Sequence, residues 1–165
     1  MVLELKSVFA NADREINIDT SLDMSKTDYS GTYPLKKPVI VKGLVKSRAG
    51  VVELSLTMSY EYSAPCDRCG KDTVRNYDVK LERMLATSIE GEESDTIIIV
   101  PDMKLDVDEL VFSEVFLSLP TKHLCSETCK GVCLKCGKNL NEGECECQTD
   151  DVDPRLSKLK ELLDN

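Results

Sequence analysis

The chain holds one histidine, His123, among its 165 residues. No serine–histidine–aspartate set, phosphate loop or pair of catalytic carboxylates can be assembled from it. With a single histidine and no compact polar cluster, the chain is not expected to be an enzyme or to take a small-molecule substrate. Long apolar runs are missing as well. None approaches the ~20 residues of a membrane span, so no membrane partner is expected. The first stretch, MVLELKSVFANADREINID, lacks the basic run and apolar segment that mark a secretory signal. Internal repeats and low-complexity segments are absent too. These absences lead to the expectation of a soluble, cytoplasmic protein.

Cysteine is where the sequence is rich. Of eight cysteines, six lie in CSETCKGVCLKCGKNLNEGECEC, from Cys125 to Cys147, and two lie upstream in CDRCG, at Cys66 and Cys69. A domain near 150 residues hides roughly 68–70% of its unfolded surface, so a chain of this length does not need staples merely to fold. In a reducing compartment disulfides are disfavoured, and closely spaced cysteines point to metal or to catalysis.

The apolar pattern predicts a sheet. VLELKSVF alternates Val2, Glu4, Lys6 and Val8 against Leu3, Leu5, Ser7 and Phe9, and reads as a first strand. Residues 10–35 are polar and read as loop with at most one short strand. PVIVKGLVKS reads as a strand, and RAG at 48–50 as its turn. Val52, Leu54, Leu56, Met58, Tyr60 and Tyr62 then share one face, opposite Glu53, Ser55, Thr57, Ser59 and Glu61. Period two over such a length requires a strand with one buried face. Beyond CDRCGKD, Arg75, Tyr77, Val79, Leu81 and Leu85 oppose Asn76, Asp78, Lys80 and Glu82, so CDRCG tips a hairpin of two long strands.

EGEES reads as an acidic turn, and TIIIVP as a short buried strand. DVDELVFSEVFLSLP reads as a helix, with Asp106 as cap, Glu109 in the capping-box position and Pro120 closing it. Val107, Leu110, Val111, Val115, Phe116, Leu117 and Leu119 leave little of that helix polar, so it is expected to pack on the sheet. DPRLSKLKELL reads as a terminal helix, with Asp153 as cap, Pro154 at its first position and Leu156, Leu159 and Leu163 on one stripe. The expected fold is α+β. A mainly antiparallel twisted sheet or open β-barrel carries one packed helix over residues 1–120, and a zinc-binding module with a terminal helix fills residues 121–165.

Cys133, Cys136, Cys145 and Cys147 have the spacing C-x2-C-x8-C-x-C, with Gly137 after the first pair. Two cysteines two apart place both sulfurs on one tetrahedral ion, and the glycine permits the left-handed turn that follows. NLNEG supplies the return between the pairs. Four thiolates make a closed structural zinc site with no position left for catalysis. Cys66, Cys69, Cys125 and Cys129 would then form a second zinc site, with Cys125 and Cys129 one helical turn apart, stapling the C-terminal region to the hairpin. A rival division pairs Cys66 and Cys69 with Cys133 and Cys136, and leaves Cys125, Cys129, Cys145 and Cys147 for the other ion. A redox role is weaker, because the C-x-x-C pairs do not open a helix in a thioredoxin-like setting. His123 is near enough to Cys125 to serve as a ligand, although an exposed histidine ahead of the metal loop is the plainer reading.

Charge divides the chain. Residues 1–85 balance at +1 and residues 86–165 at −10, before each four-thiolate zinc site adds a formal −2. An acidic half suits a basic protein partner better than phosphates. Residues 36–85 carry a surplus of +4. Lys42, Lys46, Arg48, Arg68, Lys71 and Arg75 are the candidates for an RNA-facing surface, against the plainer reading of solvated strand faces. Tyr60, Tyr62 and Tyr77 would be its stacking rings if exposed, but the alternation assigns Tyr60 and Tyr62 to the core.

The order of CDRC, LDVDELVFSEVFLSLP, LCSETCKGVCLKCGKNLNEGECEC and DPRLSKLKELL resembles the YceD family, the large ribosomal RNA subunit accumulation proteins, over roughly residues 35–163. The resemblance implies support of 23S rRNA accumulation, in processing or early large-subunit assembly. Its partners would be precursor 23S rRNA, a basic large-subunit ribosomal protein, or both. Some members of the family keep C-x-R-C and lack the distal cysteines, which favours a self-contained site at Cys133, Cys136, Cys145 and Cys147. The competing expectation is a zinc-stabilised protein–protein adaptor or regulator unconnected to rRNA.

Overall fold

The computed structural model describes residues 1–11, 14–88 and 95–147. The EGEES turn and the terminal helix expected at 153–163 lie outside the described residues. Nine elements follow in order: β1 Val2–Glu4, α1 Lys6–Ala10, β2 Glu15–Leu22, β3 Val39–Arg48, β4 Val51–Pro65, β5 Asp72–Ala86, β6 Ile97–Ile99, β7 Lys104–Asp106 and α2 Val107–Ser118, among the described residues. Five strands make one open sheet in the order β2-β3-β4-β5-β6. Its pairings are antiparallel except the last, β5 with β6. β1 and β7 form a separate two-stranded ribbon.

The sheet has a dry face and a wet face, as the period-two pattern requires. Val52, Leu54, Leu56, Met58, Tyr60 and Tyr62 of β4 are all buried, and Val39, Val41, Val45, Leu81 and Leu85 join them from β3 and β5. Helix α2 covers this face with Val107, Val111 and Val115, and Leu119 follows at its C-terminal end. Asp106 caps the helix, its carboxylate accepting from the amides of Asp108 and Glu109. The Tyr60 hydroxyl reaches the Ser118 carbonyl at 3.2 Å, so its polar tip is satisfied inside the core. Arg83, on the dry side of β5, meets Glu114 of α2 at 3.8 Å.

Three expectations are corrected. VLELKSVF is not one strand: β1 ends at Glu4 and α1 begins at Lys6. Leu5 and Val8 are both fully buried, a spacing of three that only a helical turn brings to one side. β2 is a full strand of eight residues where mostly loop was expected, paired along its length with β3. Its apolar side is thin, with Ile18 buried and Ile16 and Leu22 half-buried, which is why the pattern is faint. TIIIVP is not a buried strand: β6 is an edge strand, and Ile99 is exposed. Helix α2 packs on the sheet as expected, with Phe116 and Leu117 of its apolar set left exposed.

Gly43 on β3 sits opposite Leu56. A Cβ there would lie 2.0 Å from the Ser55 carbonyl oxygen. No rotamer relieves a clash between Cβ and backbone, so Gly43→Ala must push β3 from β4. The expected loss is about 1–3 kcal/mol, the usual cost of overpacking. It is read as a lower urea midpoint with an unchanged slope. A wild-type midpoint would mean that the two strands part at no cost.

Candidate metal centres

The two C-x-x-C turns fold alike because their sequences are alike, CDRCGK and CLKCGK. In the first, the Cys66 amide donates to the Lys71 carbonyl at 2.9 Å and the Gly70 amide to the Cys66 carbonyl at 2.8 Å. In the second, the Cys133 amide donates to the Lys138 carbonyl at 2.9 Å and the Gly137 amide to the Cys133 carbonyl at 2.8 Å. Gly70 and Gly137 have φ of 68° and 72°, where any side chain is strained. The first turn tips the β4–β5 hairpin, held between the paired residues Pro65 and Asp72.

The eight sulfurs fall into two groups of four. Those of Cys66, Cys69, Cys125 and Cys129 lie within 4.8 Å of one another, and so do those of Cys133, Cys136, Cys145 and Cys147. The first group is the hairpin cluster and the second the loop cluster. The rival division across the two turns is not the one the fold makes. Cys66 lies 3.8 Å from Cys129, and Cys69 lies 3.7 Å from Cys125, sulfur to sulfur. Four sulfurs about 2.3 Å from a zinc ion form a tetrahedron with edges of about 3.8 Å. Both clusters could therefore hold a metal ion, and the hairpin cluster has the dimensions of a tetrahedral thiolate site.

Electrostatics makes the same point. Burial opposes ionisation of Cys66, yet the amides of Cys125, Arg68 and Cys69 bring it down to about 6. The amides of Cys136 and Lys135 do the same for Cys133, also to about 6. Each cluster also contains a thiol that resists. Cys125 is pushed up to about 12, first by Cys129 beside it and then by burial. Cys147 is pushed up to about 12, first by Cys136 and then by burial. Four sulfurs this close cannot all carry charge unless a cation sits among them, and a dication removes the conflict by deprotonating every ligand.

Around the hairpin cluster the chain is clamped on several sides. Arg68 donates from Nη1 to the Cys129 carbonyl at 2.8 Å, and Arg75 from Nη2 to the Cys125 carbonyl at 3.4 Å. Asp67 exchanges two bonds with the backbone of His123, its amide reaching the carbonyl at 2.9 Å and its Oδ2 accepting the His123 amide at 2.6 Å. Cys125 and Cys129 are joined by a turn rather than a helical turn, closed by the Cys129 amide on the Ser126 carbonyl at 3.1 Å. At Gly131 a Cβ would lie 3.1 Å from the Arg68 carbonyl oxygen, and its φ is 77°, so glycine lets this segment run against the first turn.

Asn141, which the sequence did not single out, links the two clusters. It lies in the return loop of the loop cluster, yet its Nδ2 donates to the Cys129 sulfur at 3.3 Å, and its Oδ1 accepts the Lys130 amide at 2.8 Å. The Leu140 amide reaches the Gly131 carbonyl at 2.9 Å alongside. An asparagine in a turn was the only local sign of this role.

His123 is not the exposed residue expected. It is buried, packs on Tyr62 with ring centroids 4.9 Å apart, and places Nε2 3.4 Å from the Thr73 carbonyl. It belongs to neither group of four. The candidate RNA-facing residues do not form one surface. Arg68 and Arg75 are engaged on the cysteine segment, and Lys71 is exposed at the hairpin tip. Lys42, Lys46 and Arg48 lie on the wet face of β3, where register sets Asp19 opposite Lys42 and Glu15 opposite Lys46. Lys46 is further paired with Glu53 at 3.0 Å. Tyr60 and Tyr62 are core residues, and Tyr77 stacks on Tyr60 at 5.5 Å.

Two outcomes follow from this geometry. Asn141→Leu removes a hydrogen bond to a ligand sulfur, a loss of about 1.5–3 kcal/mol for a charged acceptor. Metal affinity of the hairpin cluster should fall roughly 10- to 100-fold, read by native mass spectrometry as a one-ion species and by faster alkylation of Cys129. Equal two-ion loading of mutant and wild type would exclude the link. The second outcome is an asymmetry in hydrogen exchange. Cys69→Ser opens the long loop between hairpin and cysteine segment but leaves the contiguous ligands of the loop cluster in place. Cys136→Ser loosens residues 130–147 and, through Asn141, the turn at Cys129. The two mutants should therefore differ, with protection at 139–147 kept in the first and lost in the second. Identical exchange profiles would mean a single cooperative unit.

The description "Large ribosomal RNA subunit accumulation protein YceD" matches residues 54–163, a span that includes all eight cysteines. YlbN of Bacillus subtilis is 30% identical over 128 residues, covering 76% of this chain and 74% of its own length. The chloroplastic large ribosomal RNA subunit accumulation protein YCED homolog 1 of Arabidopsis thaliana is 35% identical over 63 residues, 38% of this chain and 20% of that protein. Rv2926c of Mycobacterium tuberculosis is 30% identical over 102 residues, 59% of this chain and 49% of its own. No solved structure matches the chain. With the shared span running from the central strand β4 through both cysteine clusters, this chain belongs to the YceD family of large ribosomal RNA subunit accumulation proteins.

Proposed function

We propose that this protein is a non-catalytic factor for large ribosomal subunit production, supporting 23S rRNA accumulation through processing or early assembly. The observation that carries this reading is the family match over residues 54–163, which takes in the hairpin, α2 and both cysteine clusters together. The chloroplast relative named for the same role supports it. Two zinc ions would be the resident metals, one held by Cys66, Cys69, Cys125 and Cys129 and one by Cys133, Cys136, Cys145 and Cys147. Zinc would supply only structure there, because four thiolates leave no open position for a reacting water. Precursor rRNA or a basic ribosomal protein would be the partner, and the cytoplasm the place of action. No helix among the described residues is long and apolar enough to cross a membrane.

A protein–protein role has one specific observation in its favour. The wet face of the sheet sets Glu15, Asp19, Glu53, Glu61, Asp78 and Glu82 against Lys42, Lys46, Arg48 and Lys80, by register. Phosphate binding rests on uncompensated cations, and acidic residues outnumber basic ones among these, with Lys46 paired to Glu53 and Lys42 opposite Asp19, although Arg48 lies opposite Val51 and Lys80 opposite Thr57.

The test is depletion of the protein in its host. Mature 23S rRNA should fall relative to 16S rRNA, and the tagged protein should co-sediment with large-subunit precursors. Normal 23S rRNA with the protein confined to the top of the gradient would overturn the ribosomal role and favour the adaptor reading.

A further inference from the structure

Helix α2 turns Phe112, Phe116 and Leu117 outward, 43, 37 and 81% exposed. The two phenylalanine rings stack at 6.0 Å, and Tyr29 meets Phe116 edge-on at 5.8 Å. Apolar residues scattered singly need no explanation, but a contiguous strip on one helix face marks an interaction surface. Tyr29 carries this strip to a cavity of about 180 Å³ between the 29–32 turn, the end of β4 and residues 120–123.

The chemistry of that cavity is specific. Its walls include Tyr29, Tyr62, Asp67 and His123, and no lysine or arginine. His123 is 3% exposed, and its Nδ1 is buried without a hydrogen-bond partner. Nε2 has the Thr73 carbonyl beside it at 3.4 Å, so Nδ1 is the ring nitrogen left for a partner from outside. A buried polar atom without a partner costs free energy until one arrives. What the cavity calls for is a donor that is also a cation, because a carboxylate and the faces of two phenols favour positive charge. The helix does not oppose this: from Asp106 to Pro120 the segment has Asp106, Asp108, Glu109 and Glu114 and no basic residue, with Asp106 and Asp108 meeting the N-terminal ammonium and Glu114 meeting Arg83.

We propose that the α2 strip and the His123 cavity form one docking groove for a basic amphipathic segment of a protein partner. Apolar side chains of that segment cover Phe112, Phe116 and Leu117. One arginine or lysine enters the cavity, donates to His123 Nδ1 and pairs with Asp67. This goes beyond the ribosomal reading, since the groove has the same chemistry whichever assembly the chain serves.

The probe is a synthetic leucine–arginine amphipathic helix of about 14 residues, titrated into the ¹⁵N-labelled, zinc-loaded full chain and compared with the same peptide carrying citrulline for arginine. Saturable binding should perturb α2 and residues 120–123 and shift the His123 Nδ1 resonance, and citrulline should weaken it roughly tenfold. Leu117→Ser removes an exposed apolar contact, and Asp67→Asn removes charge while keeping an oxygen for the His123 amide. Each should weaken binding roughly tenfold, Leu117→Ser with an unchanged thermal midpoint and Asp67→Asn with metal loading kept, since Asp67 also clamps the segment after α2 through the His123 amide. The proposal is overturned by equal affinity in both variants, by no saturable binding, or by a His123 resonance that stays still while the peptide binds. Displacement of the peptide from the same residues by a single-stranded RNA would reassign the groove to nucleic acid. Self-association of the free chain through Phe112 and Leu117 would reassign it to a second copy. None of these readouts uses ribosomal particles, so failure here leaves the ribosomal reading standing.

Discussion

Repulsion among four sulfurs confined at the tip of the β4–β5 hairpin is the constraint on which the rest of the molecule turns. The fold brings Cys66 and Cys69 from the hairpin together with Cys125 and Cys129, more than fifty residues later in the chain. The amides that pull the Cys66 thiol down to about 6 and the neighbours that push Cys125 up to about 12 act within one small volume. A cation resolves that conflict and becomes a crosslink. In the chain-entropy model a crosslink closing a loop of that length is worth about 4 kcal/mol. The sheet does not need this link, because β4 buries six side chains of its own. The segment beyond α2 has less of its own, resting on Arg68, Arg75, Asp67 and the packing of His123 on Tyr62 besides the cluster.

The second cluster would depend on a bound metal more completely. Between Lys130 and Cys147 the apolar side chains are Val132, Leu134 and Leu140, and Leu134 is 99% exposed. Such a stretch has no core to offset the entropy of ordering it, so binding of an ion there would be one event with its folding. Asn141 passes that order on. Its turn lies between the two cysteine pairs of the loop cluster, and its side chain holds both the Cys129 sulfur and the Lys130 amide. Cys66 and Cys69 of the hairpin share one cluster with Cys125 and Cys129 of the segment after α2, so an ion bound there would couple the sheet to that segment.

What was legible in the sequence is what local chemistry writes. Period two from Val52 to Tyr62, the Asp106 cap, and the twin CDRCGK and CLKCGK turns each need only neighbouring residues, and each is found where those residues predict it. The division of eight cysteines into two groups of four is non-local, and one of the two divisions the spacing allowed is the one observed. What was hidden depends on partners far away in the chain. Leu5 and Val8 look like strand residues until a ribbon partner at Lys104–Asp106 ends β1 and the core draws both inward. Nothing near Arg68 or Arg75 says that their guanidinium groups meet carbonyls some fifty to sixty residues on. His123 looked exposed because its neighbours are polar, while its burial comes from Tyr62 and Asp67.

Register also decides what kind of partner the molecule attracts. Counted along the sequence, residues 36–85 carry a surplus of positive charge. Folded, much of that surplus is spoken for: Lys42 faces Asp19, Lys46 faces Glu15 and Glu53, and two arginines turn to the cysteine segment. The remaining field is that of a chain with net charge −9. Each four-thiolate site adds a formal −2 once its thiols are ionised around a dication. Long-range steering by such a field favours basic partners and falls with ionic strength. Counterion release from nucleic acid, the main source of affinity for phosphates, needs free cations in a row, and on the wet face of the sheet Lys42 and Lys46 have carboxylates across from them. On electrostatics alone, such a molecule suits a basic protein surface better than a bare phosphate backbone.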